Sequence, residues 1–146
     1  MPHAPWAVFE LHPAFPPTSH ALGELPLCHV RLQADARYPW LVLIPRIAGA
    51  IELEDLSGND RAALMEEVVL AGAAVRAVGA ATGLAVGKLN VGQLGNLTPQ
   101  LHLHVVGRRP DDAAWPGPVW GAGAAETYGD DALHAAVTAA RTALGL

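Results

Sequence analysis

The chain has one cysteine, few basic residues and no long uncharged apolar run. Cys28 alone can form neither an intrachain disulfide nor a cysteine cluster for zinc, so we expect it to be a buried small hydrophobe. The 9 Lys and Arg residues are outnumbered by 14 Asp and Glu, for a net charge of −5. This balance argues against a basic surface for non-specific nucleic-acid binding, although a local cluster of donors can still bind a small anion.

Signals for membrane insertion and export are absent from the sequence pattern. No stretch runs long enough without charges or helix breakers to cross a bilayer, and the N-terminus lacks the basic start and apolar core of a signal peptide. We therefore expect a cytoplasmic protein. The 146 residues are 51% hydrophobic, which is enough for a real core, so residues 1–146 are predicted to form a single domain.

Alternating and continuous apolar runs predict several short strands. The expected strands are residues 25–33, 40–44, 85–91 and 100–106, the first two as a hairpin. Residues 1–24, rich in Pro and His, are interpreted as a loosely packed N-terminal arm, with a metal-binding leader as the alternative. Residues 110–129 are expected to form an irregular loop before the C-terminal helix.

Helical periodicity predicts two helices, over residues 60–82 and 131–144. Asn59 or Asp60 can cap the first, and Gly83 supplies its end. Because strands come in pairs with helices between them, the predicted fold class is α+β, with an antiparallel sheet and helices on one face.

Residues 100–106 carry the clearest pattern of chemistry. Gln100, His102 and His104 alternate with apolar residues, so in a strand they share one face, about 6.5–7 Å apart. Such a row can hold one phosphoryl group between several donors and a nitrogen nucleophile. The alternative is a half-exposed strand with two incidental histidines.

Residues 100–106 resemble the signature of the histidine triad (HIT) family, His-φ-His-φ-His-φ-φ with φ apolar, with Gln100 in place of the first histidine. Further stretches resemble family surroundings or a bacterial branch of the family: residues 35–46, 90–92 and 107–109. The resemblance covers residues 25–120. It implies a five-stranded antiparallel sheet with helices packed on it, and two protomers forming a homodimer.

The resemblance also implies a nucleotidyl hydrolase or transferase that acts on a small-molecule nucleotide. His102 would attack the α-phosphate of a nucleoside phosphoramidate or of a dinucleoside polyphosphate such as a diadenosine polyphosphate, forming a covalent nucleotidyl–histidine intermediate. His104 would donate a hydrogen bond to phosphate oxygens or to the leaving group. No cofactor is required, although Mg²⁺ can accompany a polyphosphate substrate, and no metal site, nucleic-acid partner or membrane partner is expected.

Four further residues are implied to bind substrate. Asn90 and Asn96 would contact phosphate, with turn formation as the alternative role of each. Asp35 would hold ribose hydroxyls. Arg37 would either hold outer phosphates or merely solvate a loop end.

Gln100 is the main departure from the signature. In relatives the first histidine helps to orient and polarise the nucleophile, whereas Gln can hydrogen-bond but cannot take a charge or shuttle a proton near neutral pH. We expect slower catalysis, and the alternative function is a nucleotide-binding module with little or no turnover. A metal-dependent enzyme of the cupin kind is a third hypothesis, but the sequence has no Glu at the short distance after His104 that such a metal site needs.

Residues near the end of the predicted site strand have less specific interpretations. Arg108 and Arg109 are interpreted as a solvated strand end. Trp115 and Trp120 would either cover the site or pack within the C-terminal loop.

Overall fold

Within residues 8–146, the part of the chain that the structure describes, a computed structural model shows an α+β fold with a five-stranded antiparallel sheet and two helices. The strands lie in the order β1-β2-β3-β5-β4 across the sheet. The elements are β1 Ser19–Glu24, β2 Cys28–Gln33, β3 Trp40–Pro45, α1 Gly58–Thr82, β4 Lys88–Gly92, β5 Leu103–Arg108 and α2 Asp130–Leu144. The fold class predicted from the sequence is confirmed.

Both helices pack on one face of the sheet, and irregular segments cover the other. The larger core joins apolar side chains of α1 and α2 to alternate strand residues such as Leu32 and Val105. The opposite face carries a smaller core around Trp40 and Val106. Apolar side chains from the N-terminal segment and from the loop after β5 pack onto this smaller core: Phe9, Leu11, Phe15, Ala114, Val119 and Trp120.

The N-terminal stretch is more ordered than predicted. Residues 1–24 were interpreted as a loosely packed arm, but β1 lies within them and pairs with β2, with Ser19 opposite Gln33. The register shifts between Ala21 and Gly23, which breaks the alternation by which a strand is recognised in a sequence. The arm interpretation was therefore wrong for β1. Residues 1–7, and His3 with them, lie outside the described part.

Other boundaries differ by a few residues. β2 and β4 begin later than predicted, at Cys28 and Lys88. α1 begins earlier because Ser57, rather than either predicted residue, is its N-cap, and the Ser57 hydroxyl accepts from the amide of Asp60 at 3.1 Å. Gly83 ends α1 with a left-handed φ of 73°, as predicted. The hairpin of β2 and β3 is also confirmed.

A buried carboxylate ties α1 to the turn between β1 and β2. Glu67 accepts hydrogen bonds from the backbone amides of Leu27 and Cys28, each at 2.8 Å. The Cys28 thiol is fully buried, as expected. Burial raises its pKa well above the ordinary value, and the negative charge of Glu67 adds to that effect.

Two glycines let α1 approach its neighbours closely. A Cβ at Gly79 would collide with the carbonyl oxygen of Leu84, just beyond the end of the helix. A Cβ at Gly72 would instead meet the end of the Leu89 side chain, at 2.9 Å. A side-chain end can rotate away, whereas the backbone carbonyl is held by the chain on either side.

Alanine substitutions at these two glycines should therefore change the free energy of unfolding by amounts that differ in sign or size. Both gain about 1 kcal/mol of helix propensity. For Gly79→Ala we expect a net loss of about 1–3 kcal/mol in the free energy of unfolding, since overpacking against backbone exceeds that gain. Gly72→Ala, the matched control, should stay within about 1 kcal/mol of the parent. Urea denaturation measures both, and equal destabilisation by the two variants would contradict this account.

Candidate active site

Two histidine rings stand side by side on the sheet face away from the helices. His104 lies in β5, with Val42 of β3 and Gly92 of β4 as its neighbours across the sheet. His102 precedes β5 by one residue and keeps the same alternation, so its ring lies next to that of His104, with centroids 5.1 Å apart and planes at 72°. Leu103, between them, points into the larger core, as the alternating pattern predicts.

The His102 ring is oriented by the backbone of Gln100. Its Nδ1 lies 2.6 Å from the carbonyl oxygen of Gln100, and since a carbonyl only accepts, Nδ1 carries the hydrogen. In the neutral ring Nε2 therefore holds the lone pair, and among residues 8–146 no group bonds to it. Gly95 lies against the ring so closely that a Cβ there would overlap it. The Phe15 ring packs against the His102 ring edge to face, with ring centroids 5.0 Å apart.

His104 has the opposite tautomer. The indole Nε1–H of Trp40 donates to its Nδ1 at 3.0 Å, and an indole nitrogen can only donate. Nε2 of His104 therefore carries the hydrogen and donates to the carbonyl oxygen of Leu94 at 2.8 Å. Burial lowers the pKa of His104 to about 4, so the ring is neutral near pH 7. Both of its nitrogens are thus already used within the protein.

Two cavities open beside His102, on either side of the loop of residues 94–98. One is largely apolar and is walled by Trp40, Leu97 and Trp120, with both histidines at its base. The other is polar and is lined by side chains that include Glu52, Gln93 and Gln100. Asn96 and Thr98 line both cavities, as does His102 itself.

The structure brings four of the predicted site residues to these cavities, although it holds the side chain of one of them, Gln100, differently from expectation. His102, His104 and Asn96 lie together. Gln100 lines the polar cavity, but its amide is bound to the N-terminal segment: Oε1 accepts from the amide of His12 at 2.9 Å and Nε2 donates to the carbonyl of Glu10 at 2.8 Å. The side chain of Gln100 therefore does not hydrogen-bond the His102 ring.

Asp35 and Arg37 are paired with each other and with the loop after β5. Arg37 Nη2 lies 2.8 Å from Asp35 Oδ2, and Arg37 Nη1 donates to the carbonyl of Ala122 at 2.6 Å. Asp35 also accepts from the amide of Glu126 at 3.3 Å. Burial alone would raise the pKa of Asp35, but the hydrogen bonds from Arg37 hold it below its usual value. Neither side chain lines a cavity beside His102.

Arg108 is buried, so its interpretation as a solvated strand end was wrong. Its guanidinium forms two bonds to Asp112, at 2.8 and 3.0 Å, and a third to Oδ1 of Asn90 at 2.7 Å. A guanidinium can be buried when its donors are satisfied and its charge is paired. Asn90 is consequently engaged in this cluster rather than at the histidines, and Trp115 packs over Arg108 at 5.7 Å.

Several residues that line the site have no assigned or decided role in the sequence analysis, among them Trp40, Thr98 and Trp120. Trp40 belongs to a continuous apolar run that predicts only a strand, and the pairing of β3 with β5 places it diagonally from His104. Thr98 carried no pattern, because the loop before β5 has none. For Trp120 the sequence leaves two roles open, and the structure packs it edge-on against His104, with ring centroids 5.4 Å apart. Gly92 makes room for this indole, since a Cβ there would lie 2.9 Å from the ring.

Within the described residues, no group of three or more His, Cys, Asp or Glu side chains is placed to hold a metal ion. Across residues 8–146, no helix is both long and apolar enough to span a bilayer.

Comparisons with known proteins identify relatives over nearly the whole chain. The family model described as HIT domain matches residues 16–111. A histidine triad protein of Bradyrhizobium japonicum is 38% identical, with 94% of this chain and 99% of that chain covered and a TM-score of 0.85. A histidine triad protein of Marinobacter aquaeolei VT8 is 34% identical, with 95% and 98% covered and a TM-score of 0.85.

More distant relatives show the fold alone. A Zn-bound histidine triad family protein of Mycobacterium smegmatis is 19% identical, with 86% of this chain and 84% of that chain covered and a TM-score of 0.57. No curated protein matches the chain.

The low pKa of His104 should make the protein less stable in mild acid. Between about pH 6.5 and pH 4 the unfolded chain protonates this histidine while the native state does not, so the free energy of unfolding falls as pH falls, by up to about 3 kcal/mol. Above pH 6.5 this contribution is fully present. His104→Gln removes the titrating group, so its stability should depend less on pH than that of the parent. Urea denaturation from pH 7 to pH 4 tests this, and parallel pH profiles would contradict it.

Proposed function

Because the chain belongs to the histidine triad (HIT) family, we propose that it is a nucleotidyl hydrolase or transferase. Members of this family are generally nucleotide hydrolases or transferases, which supports a role in binding or processing nucleotides. The proposed substrate is a nucleoside phosphoramidate or a dinucleoside polyphosphate, attacked at the α-phosphate. The observation that carries the proposal is the hydrogen bond from His102 Nδ1 to the Gln100 carbonyl, which leaves Nε2 as a nucleophile beside two cavities.

The reaction has two displacements at phosphorus. In the first, the Nε2 lone pair of His102 forms a bond to the α-phosphorus while the bond to the leaving group breaks, and the leaving group takes a proton from solvent. In the second, water attacks the same phosphorus and gives up a proton to solvent, the P–N bond breaks, and the ring recovers its lone pair as the nucleotide departs. Two easier steps replace one difficult displacement. The Gln100 carbonyl stabilises the positive charge that develops on the imidazole during attack.

Hydrogen-bond donors around the phosphoryl group supply the electrostatic stabilisation. Asn96 and Thr98 line both cavities and are placed for this role. His104 can serve only if a phosphate oxygen replaces the Leu94 carbonyl as the acceptor of its Nε2–H. We assign Asn90, Asp35 and Arg37 to the structure around the site, since Asn90 Oδ1 accepts from Arg108 and Asp35 pairs with Arg37.

The alternative is a nucleotide-binding module with little or no turnover. It is favoured by the engagement of the His104 proton with Leu94, which removes one donor until the loop of residues 94–98 shifts. On either alternative we propose that the ligand is a small nucleotide and that no cofactor is required. Mg²⁺ would accompany only a polyphosphate substrate. The proposed location of the protein is the cytoplasm.

We also propose that two protomers form a homodimer. Within the described chain β4 is an edge strand, and Val91 on it is 51% exposed. Met65 and Val69 on α1 are likewise exposed apolar side chains. A sheet edge and a helix surface of this kind can be covered by a second copy.

A charged residue at the sheet edge should weaken such a dimer. We expect light scattering to give a dimer mass for the parent at micromolar concentration and a monomer mass for Val91→Lys. Leu53→Lys, at another exposed apolar position, should stay dimeric. A parent that is monomeric at this concentration would contradict the dimer.

The nucleophile can be identified from variants of single histidines. We expect His102→Ala to abolish turnover while nucleotide binding stays within about tenfold, roughly 1.4 kcal/mol. Intact-mass spectrometry should detect a nucleotidyl adduct on the parent and not on this variant. His104→Ala should slow the reaction but still form the adduct.

His134→Ala is the matched control, because His134 lies on α2 across the sheet, and it should behave as the parent. Full activity in His102→Ala would reject the mechanism. Nucleotide binding without adduct or turnover would favour the binding module.

A further inference from the structure

The amide of Gln100 clamps the N-terminal segment of residues 10–15. It satisfies a backbone donor, the amide of His12, and a backbone acceptor, the carbonyl of Glu10. One primary amide can meet both because its oxygen and nitrogen sit on the same carbon. The donor and acceptor nitrogens of a neutral imidazole point away from each other, so a histidine at this position cannot match two adjacent backbone groups in the same way.

The segment of residues 10–15 ends at Phe15, which packs against His102, the proposed nucleophile. Phe15 is buried, and its ring meets that of His102 edge to face, with centroids 5.0 Å apart and planes at 83°. Its backbone is held from the other side as well, since the hydroxyl of Ser19 donates to the carbonyl of Phe15 at 2.6 Å. The position of Phe15 therefore depends on two attachments. Gln100 holds the backbone of residues 10 and 12 on one side of it, and Ser19 at the start of β1 holds its carbonyl on the other.

The His102 ring is confined by four neighbours. The Gln100 carbonyl holds Nδ1, Gly95 and His104 lie against the ring, and Phe15 packs on it from the N-terminal segment. Phe15 is the neighbour that does not belong to β5 or to the loop before it. If the segment moved away, the imidazole would keep its contacts with the Gln100 carbonyl, Gly95 and His104 but would lose the packing of Phe15.

We propose that Gln100 is a positioning residue that acts through the N-terminal segment: its amide anchors residues 10–15 so that Phe15 holds the His102 ring in the orientation needed for attack. This inference rests on the proposed role of His102 as nucleophile. It also gives the glutamine at the first signature position a purpose of its own, as an anchor that the histidine of the signature would not supply.

A double-mutant cycle tests whether Gln100 acts through Phe15. Gln100→Leu and Phe15→Ala should each lower kcat by about tenfold or more with a smaller change in KM, because misplacement of a reacting group costs rate more than binding. The double variant should be no slower than Phe15→Ala alone. Effects that multiply would mean that Gln100 acts directly on the substrate, and would overturn the proposal.

Two further variants separate anchoring from other roles. Gln100→His should be slower than the parent, since the clamp is lost, and a faster Gln100→His would overturn the proposal. Gln100→Glu keeps the acceptor for His12 but repels the Glu10 carbonyl, and it should show a smaller loss in a chain that still folds. Glu67→Gln is the matched control: it weakens a similar pair of side-chain-to-backbone bonds on the opposite face and should change stability but not kcat.

A readout independent of turnover is the nitrogen NMR spectrum of His102. We expect a single Nδ1–H tautomer in the parent and an averaged signal in Gln100→Leu and Phe15→Ala. An unchanged spectrum in both variants would overturn the proposal even if their rates fall. If the parent forms no adduct and shows no turnover, the proposed function fails, while this spectrum still decides whether Gln100 and Phe15 position the ring.

Discussion

The hydrogen bond from Nδ1 of His102 to the carbonyl of Gln100 decides which ring nitrogen carries the hydrogen and which keeps its lone pair. The carbonyl is placed by the backbone just before β5, whose register is set by pairing with β3 on one side and β4 on the other. The chemistry of one side chain thus depends on the central position of its strand. A strand at the edge of the sheet would leave this backbone less well defined.

The second histidine links the sheet to the loop that forms the cavities. A chain of two hydrogen bonds runs from the indole of Trp40 through the His104 ring to the carbonyl of Leu94. It holds the loop in place, and the same loop presses Gly95 against His102. Burial keeps the His104 ring neutral, and only the neutral ring can accept from Trp40 while donating to Leu94. The neutral state of the His104 ring therefore helps to hold the loop, and with it Gly95, against the His102 ring.

Local patterns predicted the sheet and the shared face of His102 and His104, because alternation along one strand is enough to place both. They failed where the deciding partner is distant in the sequence. Arg108 is the clear case, because the sequence predicts a solvated strand end while its burial depends on partners from two other segments, Asn90 and Gly117. For Asp35 no local pattern indicates the bond from the distant amide of Glu126, and its role towards a substrate stays a prediction.

A family signature is written in terms of side chains, yet a residue at a signature position can also act through its backbone. At position 102 the contribution is the ring, whereas at position 100 the orienting group is the backbone carbonyl, which every amino acid carries. The replacement of histidine by Gln100 therefore keeps the carbonyl that binds Nδ1 of His102 and changes what the side chain adds. In this chain the side chain adds two bonds to residues 10–12. A missing histidine in a motif is thus weaker evidence against catalysis than it looks, when the group that acts on the nucleophile is the main chain.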